Sequence, residues 1–577
     1  MVLDAFVGRC LNLLDQLATE EVVMILGVKD DVQRLHEKLE RIKDVLLDAE
    51  RRRIQDAAVN RWLSKLRDVM YDADLVRLWV AEGFITAQGD SLLEDLAEDC
   101  YDSLISRSLL HLHPSVANGT RCTMHDLTRS LALLLTRDES HLVDGNGSTA
   151  SNLLKLRRLA VKDKEETAGS LNVIENPHCL RTLHIDKCLH IKTQDIFQRF
   201  MHLRVLALND SLIECIPESI RNLQHLRYLD LDRTTIPQLP ESIGCLVNLQ
   251  FLNLSGCKFL HALPRTITQL CNLRRLGLFR TPISHVPVGI GKLKHLIDIQ
   301  GFVVAEGGDD DHGSGEHQLG CGLDELQSMS ELRRLRIDRL QRVVTGGIQP
   351  LKEKQYLKEL ILMCTKDVDQ SLILERTEQI YEDLSPPLCL ETLQFRYFYN
   401  LKFPGWISML PNLAYLTLYH CLMCRQLPSL GQLPQLRVLR IEGASAVFTI
   451  GPEFLGCYTK DGPGHSGTPT AFPKLDKLLI YSMEKLEEWL CDAEDTEGGR
   501  RPAIKLFPRL RELEIVDCPK LRALPVGLQQ AASLKRCHIR AGSLKEIKNI
   551  LSLKILIVEK SQFLGPSQIF HHLGRCR

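Results

Sequence analysis

The sequence is short of most features that would point to a particular chemistry. Its 577 residues hold 72 Lys+Arg against 73 Asp+Glu, a net charge of −1. There is therefore no excess of positive charge of the kind that sequence-independent nucleic-acid binding requires. No uncharged apolar run, Leu131–Leu135 among the longest, approaches the roughly 20 residues that span a bilayer. The chain starts Met-Val-Leu-Asp, with an acid where a signal peptide carries positive charge, and Val2 in place of Gly excludes myristoylation. A phosphate loop of the form GxxxxGK[ST] is missing, since Gly291-Lys292 is followed by Leu293. The only CxxC pair, Cys421 and Cys424, has no second pair at zinc spacing. Histidines are scattered, and His571-His572 read as surface residues, so no hydrolase or oxidoreductase constellation stands out. What remains is a cytosolic or nuclear chain whose 19 cysteines are free thiols, and whose 44% hydrophobic, 25% charged composition excludes wholesale disorder.

A repeat organises the rest. The pattern Leu-x-x-Leu-x-apolar starts at Leu180, Leu203, Leu226, Leu249 and Leu273, at steps of 23, 23, 23 and 24 residues. A second marker keeps the same phase, in Pro217, Pro240, Pro264 and Pro287. Further triplets start at Leu156, Leu332, Leu357, Leu390, Leu413, Leu436, Leu475, Leu510 and Leu553, with weaker ones at Leu296 and Leu534. This is a leucine-rich-repeat array. Alternation puts the leucines on one face of a short strand, successive strands pair in parallel, and stacking buries what no single repeat buries alone. The Pro disfavours helix just before it and opens the convex segment of each repeat. Polar stretches 306–317, 459–470 and 491–502 read as inserted loops. Cys188, Cys257, Cys421 and Cys518, like Thr234 and Thr281, fall three residues after the last apolar position of a triplet, where a small polar side chain bonds backbone at the inner turn.

The amino-terminal third reads as helix. Val28, Val32, Leu35, Leu39, Ile42 and Leu46 form a short heptad seam. Flanked by helices over residues 3–17 and 59–70, it suits an intramolecular bundle. Ser91-x-x-Glu94 is a capping box opening an amphipathic run to Leu110; His111–Thr123 reads as a hairpin or loop, and a helix is expected from Asp126 to about Arg137.

These residues resemble the plant coiled-coil, nucleotide-binding, leucine-rich-repeat immune receptors. Val45-Leu46-Leu47-Asp48-Ala49-Glu50 and the stretch Trp62–Asp74 resemble the family's Rx-like N-terminal domain, the second lying where its acidic docking motif sits. Leu75-Val76-Arg77-Leu78-Trp79-Val80-Ala81-Glu82-Gly83-Phe84-Ile85 resembles its winged-helix signature, and Met124-His125-Asp126-Leu127 its MHD motif. The resemblance implies an α/β leucine-rich-repeat solenoid, a horseshoe with a parallel sheet on its concave face. An all-α helical bundle and a partial winged-helix segment precede it. The domains are then 1–74, 75–140 and 141–577. It also implies that His125, with Asp126, contacts nucleotide phosphates, but the nucleotide-binding module expected between Asp74 and Leu75 is missing, which reads as an internal deletion. No cofactor is expected, and ADP or ATP would enter only if that module were restored.

The function expected is non-enzymatic recognition in plant defence, with the N-terminal helices signalling or binding a partner. The partner is a pathogen effector, a guarded host protein or an intact receptor of the family; no nucleic acid and no membrane span are expected. The recognition candidates are Arg181, Arg204, Arg227, Arg274, Arg275, Arg333, Arg334, Arg336, Arg437 and Arg440, with Tyr228, Phe251 and Tyr415 as aromatic neighbours. Together they read as a basic concavity suited to an acidic protein. A solvated face is the plain alternative. An ADP/ATP switch in a longer chain, or a deletion product without function, are the others.

Overall fold

The computed structural model describes residues 75–85, 92–107, 109–112, 122–123, 139–143, 155–161, 177–188, 191–305, 320–343, 347–366, 374–456, 470–490, 505–525, 528, 531–541, 543 and 555–558. The helical bundle over 1–74, His125, Asp126, the 126–137 helix and His571-His572 lie outside these residues. So do the polar loops, except that Thr470 opens a strand rather than closing a loop. The described chain falls into two compact units, one within residues 1–186 and 202–207, the other within 187–201 and 208–577.

In the first unit, α1 (Leu75–Glu82) is buried on every side that carries Arg77 to Glu82, as an apolar helix must be. It packs with α2 (Leu93–Ser106). Ser91 of the expected capping box lies outside the described residues. α2 starts one residue late with Leu92 in the cap position and no side-chain cap, and Glu94 and Asp95 in its first turn complement the helix dipole instead. The expected hairpin is present, β1 (His111–Leu112) pairing antiparallel with β2 (Cys122–Thr123). β3 (Ser140–Val143), β4 (Arg158–Val161) and β5 (Thr182–Asp186) then form a parallel ladder, and the amides of Arg204 and Val205 continue it onto the Arg181 carbonyl at the start of β6 (Val205–Asn209). β3 has no leucine triplet and was not expected.

In the second unit, short helix α3 (Thr193–Arg199) is followed by β7 (Tyr228–Asp230), β8 (Phe251–Asn253), β9 (Arg275–Gly277), β10 (Asp298–Val303), β11 (Arg334–Asp338) and β12 (Glu359–Met363). After α4 (Leu374–Asp383) come β13 (Thr392–Arg396), β14 (Tyr415–Tyr419) and β15 (Val438–Glu442). The main ladder ends with β18 (Lys477–Tyr481), β21 (Glu512–Val516), β22 (Arg536–Arg540) and β23 (Ile555–Val558). Among the described residues the neighbours in this ladder pair in parallel, with a bulge in β10 between Gln300 and Phe302. Two short parallel pairs lie outside it, β16 (Thr449–Ile450) with β19 (Glu488–Trp489) and β17 (Thr470–Ala471) with β20 (Lys505–Leu506). Every triplet, the weak ones at Leu296 and Leu534 included, became a strand.

The repeat chemistry is as spaced. Triplet leucines such as Leu229, Leu252 and Leu276 are buried, each contributing about 1.5–3 kcal/mol over exposure. Pro217, Pro240, Pro264 and Pro404 stand extended just before single 3-10 turns. Pro287 departs from this pattern: its turn opens at Gly289, and Pro287 bridges to Gly320 instead. Asn248, Asn272 and Asn412 each donate to a carbonyl of the preceding repeat, of Gln224, Val247 and Leu388. At the inner turn, Thr234 donates to Leu231 O at 2.9 Å, Cys257 to the same oxygen at 3.1 Å, and Thr281 to Leu254 O at 2.6 Å. The CxxC pair is part of this interior: both thiols are buried, and Cys424 donates to Asn400 O at 2.9 Å. α4 adds an aromatic core the repeat does not foresee, with the Tyr381 ring 4.7 Å from Phe398 and the Trp406 indole donating to Tyr381 O at 2.9 Å.

Candidate functional site

Because side chains alternate along a strand, the residues flanking each buried leucine of a strand point away from the core, and parallel register lines them up. Three rows result in the second unit. The first runs Tyr228, Phe251, Arg275, Asp298, Arg334, Glu359, Thr392, Tyr415, Val438, Lys477 and Glu512. The second holds Asp230, Asn253, Gln300, Arg336, Gln394 and Arg440 among others. Met363, Arg396, Tyr419, Glu442 and Tyr481 belong to the third. Of the expected recognition residues, Tyr228, Phe251, Arg275, Arg334, Arg336, Tyr415 and Arg440 lie in these rows. Arg227, Arg274, Arg333 and Arg437 sit one residue before their strands, where their carbonyls accept the amides that open the next strand. Arg181 and Arg204 belong to the first unit and have local tasks there: Arg181 Nη1 donates to His202 O and Arg204 Nη1 to Glu82 O, at 3.2 and 3.0 Å.

The rows are less basic than the arginines alone suggest, because acids interleave with them. Arg275 Nε lies 3.6 Å from Asp298, Arg336 Nε 2.7 Å from Asp338, Arg440 Nη2 2.6 Å from Glu442, and Lys477 Nζ 2.6 Å from Glu512. Burial pushes the Asp338 carboxyl up against the opposing pull of Arg336, Arg339 and Arg396. Burial likewise raises Glu359, with Arg334 pulling it back, and lowers Arg396, which Arg336 also repels. These acids were legible at fixed offsets from the triplet starts, two residues after Leu296, Leu357 and Leu510 and six after Leu332 and Leu436, had the outward positions been read for both signs.

The amino-terminal part of the face is closed on itself. Tyr228 and Phe251 are 4% and 2% exposed, their rings 5.9 Å apart. Asp230 accepts hydrogen bonds from the Tyr228 hydroxyl, the Asp232 amide and the side-chain amides of Asn209 and Asn253, so three consecutive repeats are tied through one carboxylate. The later part is open. Tyr415 is 46% exposed. Beside it, Arg396 stands over the Tyr419 ring at 5.7 Å, Tyr397 stacks on His420 at 5.3 Å, and Arg440 covers Tyr481 at 5.0 Å. The Tyr481 hydroxyl, bonded to Glu514, is pushed up by burial and by that carboxylate. Tyr397 and His420 hold left-handed backbone, φ 54° and 53°, seven residues after their triplet starts, a position that recurs at Asp210, Arg233, Arg280, Arg339, Ser482 and Asp517.

Among the described residues no group of three or more His, Cys, Asp or Glu is placed to hold a metal ion, and no helix is long and apolar enough to cross a membrane.

Comparison with known proteins agrees with this layout. Residues 180–549 match the family described as leucine-rich repeat region, residues 6–76 the Rx N-terminal domain, and residues 67–132 the disease resistance protein winged helix domain. Disease resistance protein RGA2 of Solanum bulbocastanum is 33% identical over 84% of this chain and 46% of its own length, and RGA4 of the same plant 30% identical over 84% and 44%. The chain thus spans less than half the length of these relatives. Among solved structures, the leucine-rich-repeat protein LIC12759 of Leptospira interrogans is 20% identical, covering 76% of this chain and 99% of its own, with a TM-score of 0.44.

Proposed function

Because the chain belongs to the plant NLR-type disease-resistance family, we propose that it is a defence protein that binds a protein partner on the outward rows of its repeat strands and catalyses no reaction. The observation that carries this reading is the open strip on β13, β14, β15 and β18, where Tyr415, Tyr419 and Tyr481 alternate with Arg396 and Arg440. Tyr and Arg dominate the residues on which interfaces depend, since each offers a broad apolar body with a polar end. With acids interleaved, the strip favours a partner of mixed charge over a purely acidic one. A pathogen effector, a guarded host protein and an intact receptor of the family all fit that description.

Nucleotide switching is not part of this proposal. The Rx N-terminal and winged-helix matches overlap over residues 67–76, which leaves no residue between them for a phosphate loop. On this reading His125 and Asp126, the residues the family resemblance points to, contact no phosphate. Calorimetric titration of the purified chain with ADP and ATP is expected to give no heat of binding. A cytosolic location, with the nucleus open to it, goes with this reading.

The test is quantitative capture from source tissue after pathogen challenge. Wild type is compared with Tyr415→Ala/Arg440→Glu and with Met409→Ser, a 71% exposed residue at the end of a 3-10 turn. The strip variant is expected to lose the captured partner at least about 10-fold, the change expected when interface anchors are removed, while Met409→Ser keeps it. Equal capture by all three would overturn the assignment of the face.

A further inference from the structure

Outward positions four and six residues after a triplet start put Arg336 and Asp338 on β11, Met363 on β12, and Gln394 and Arg396 on β13. Parallel register sets Arg396 beside Met363. From the other side, Arg336 Nη2 reaches the Met363 sulfur at 3.1 Å. The thioether thus stands between two guanidiniums.

Both guanidiniums are held in place, and both are poorly matched. The Arg336 side chain is 8% exposed, its Nε lies 2.7 Å from Asp338 Oδ1, and its guanidinium stands 4.6 Å from the centre of the Phe279 ring. Yet its Nη2 spends a donor on a thioether sulfur, a weak acceptor. Arg396, half-buried against Tyr419, directs both Nε and Nη2 to one neutral oxygen, Gln394 Oε1, at 3.3 and 3.1 Å. Among the described residues Arg396 has no ion pair. Arg336, Arg339 and Arg396 all act on the Asp338 carboxylate, and three cations against one anion leave a local charge of +2. Hydrogen bonds from a guanidinium to an oxyanion are about twice as strong as those to a neutral acceptor, and its planar fork fits two oxygens at once. An oxyanion over Met363 would therefore gain more from these donors than the sulfur and the amide oxygen do.

We propose that Arg336 and Arg396 form a phosphate-binding site over Met363, taking either inorganic phosphate or the phosphate of a phosphorylated side chain. Its oxygens replace the Met363 sulfur and Gln394 Oε1 as acceptors. A phosphate, with about −1.5 to −2 charge at pH 7, matches the local excess better than a single carboxylate does. Phe279 and Tyr419 flank the site and keep the two guanidiniums in position. The site needs no protein partner, so it does not depend on the partner-binding reading.

Calorimetric titration of the full chain with sodium phosphate at constant ionic strength tests it. Wild type is expected to show saturable binding. Arg396→Gln is expected to bind at least about 10-fold more weakly, the size of one lost charged hydrogen bond. Arg396→Lys keeps the charge but not the fork, and is expected to lose a smaller factor. It also serves should Arg396→Gln fail to fold. Arg221→Gln, which removes a 57% exposed guanidinium elsewhere, is expected to bind like wild type. A parallel titration with O-phosphoserine separates the two sources: tighter binding than phosphate assigns the site to a phosphorylated side chain, and equal binding to the free anion. No saturable binding by wild type, or equal affinity in wild type and both Arg396 variants, overturns the proposal.

Discussion

The same leucine pattern builds two unlike stretches of the outward face. Over β7 to β9 the period holds at 23 to 24 residues, and the outward side chains face one another: Tyr228 against Phe251, and Asp230 bonded across three repeats. Over β13 to β18 the spacing stretches to 39 residues between Leu436 and Leu475, and the outward rings and guanidiniums are half open. Strict phase lets a short polar side chain reach the equivalent atom one repeat away, so it is used for stability. Phase alone does not separate the two stretches, since Leu390, Leu413 and Leu436 also stand 23 residues apart; in β13, β14 and β15 the row of Asp230 is held by Gln394, Thr417 and Arg440, which offer no shared carboxylate.

Substitutions that treat the two stretches alike should expose the difference. Tyr228→Ala is expected to cost about 3 kcal/mol, as for other buried aromatic deletions, whereas Tyr415→Ala should stay within about 0.5 kcal/mol as a surface change. Denaturant titration of both variants measures this, and equal costs would break the comparison. Asp230→Ala should cost about 2 kcal/mol, because the donors of Tyr228, Asn253 and Asp232 are left without their acceptor in a buried place. The left-handed turn positions sharpen the contrast. Gly256→Ala is expected to cost about 1–2 kcal/mol, since φ 70° is strained for a side chain and the new Cβ would lie 2.7 Å from Arg233 Cγ. Ser482→Gly at φ 52° in the later stretch should be neutral or gain about 0.5 kcal/mol.

The smallest expected effect is on thiol reactivity. Burial raises the Cys421 and Cys257 thiols and takes Cys518 to about 11, and only thiolates react. At pH 8, exposed Cys215, Cys245 and Cys271 should alkylate first, and Cys257, Cys421 and Cys518 only in denaturant, as mass spectrometry would read. The unfolded thiol ionises before the folded one, so these groups favour the native state below the ordinary value of 9.0 and this contribution falls as pH rises above it.

The sequence reveals the fold well where one local spacing carries the information. The triplets, Pro217, Pro240 and Pro264, and the inner-turn Thr234, Cys257 and Thr281 all act within a repeat or on its neighbour at a fixed offset. It reveals much less where contacts join residues with no common period. Glu82 meets Arg158, Thr182 and Arg204 only after the chain has folded back on itself. β3 lacks leucines at the triplet spacing and is recognisable only once β4 offers it a ladder. α4 interrupts the array with a helix whose Tyr381 finds its place among Phe395, Phe398 and Trp406. Arg275, Arg334, Arg336 and Arg440 do lie in outward rows, but reading arginines alone overstated the charge of those rows, since Asp298, Asp338 and Glu442 occupy the same or adjacent outward positions.

Hydroxyl-radical footprinting of the full chain tests the division of this face most directly, because oxidation of aromatic side chains follows their exposure residue by residue. The account predicts rapid modification of Tyr415 and protection of Tyr228 and Phe251 by at least about 10-fold, in keeping with 46% against 4% and 2% exposure. Modification of Tyr228 and Phe251 at the rate of Tyr415 would contradict it.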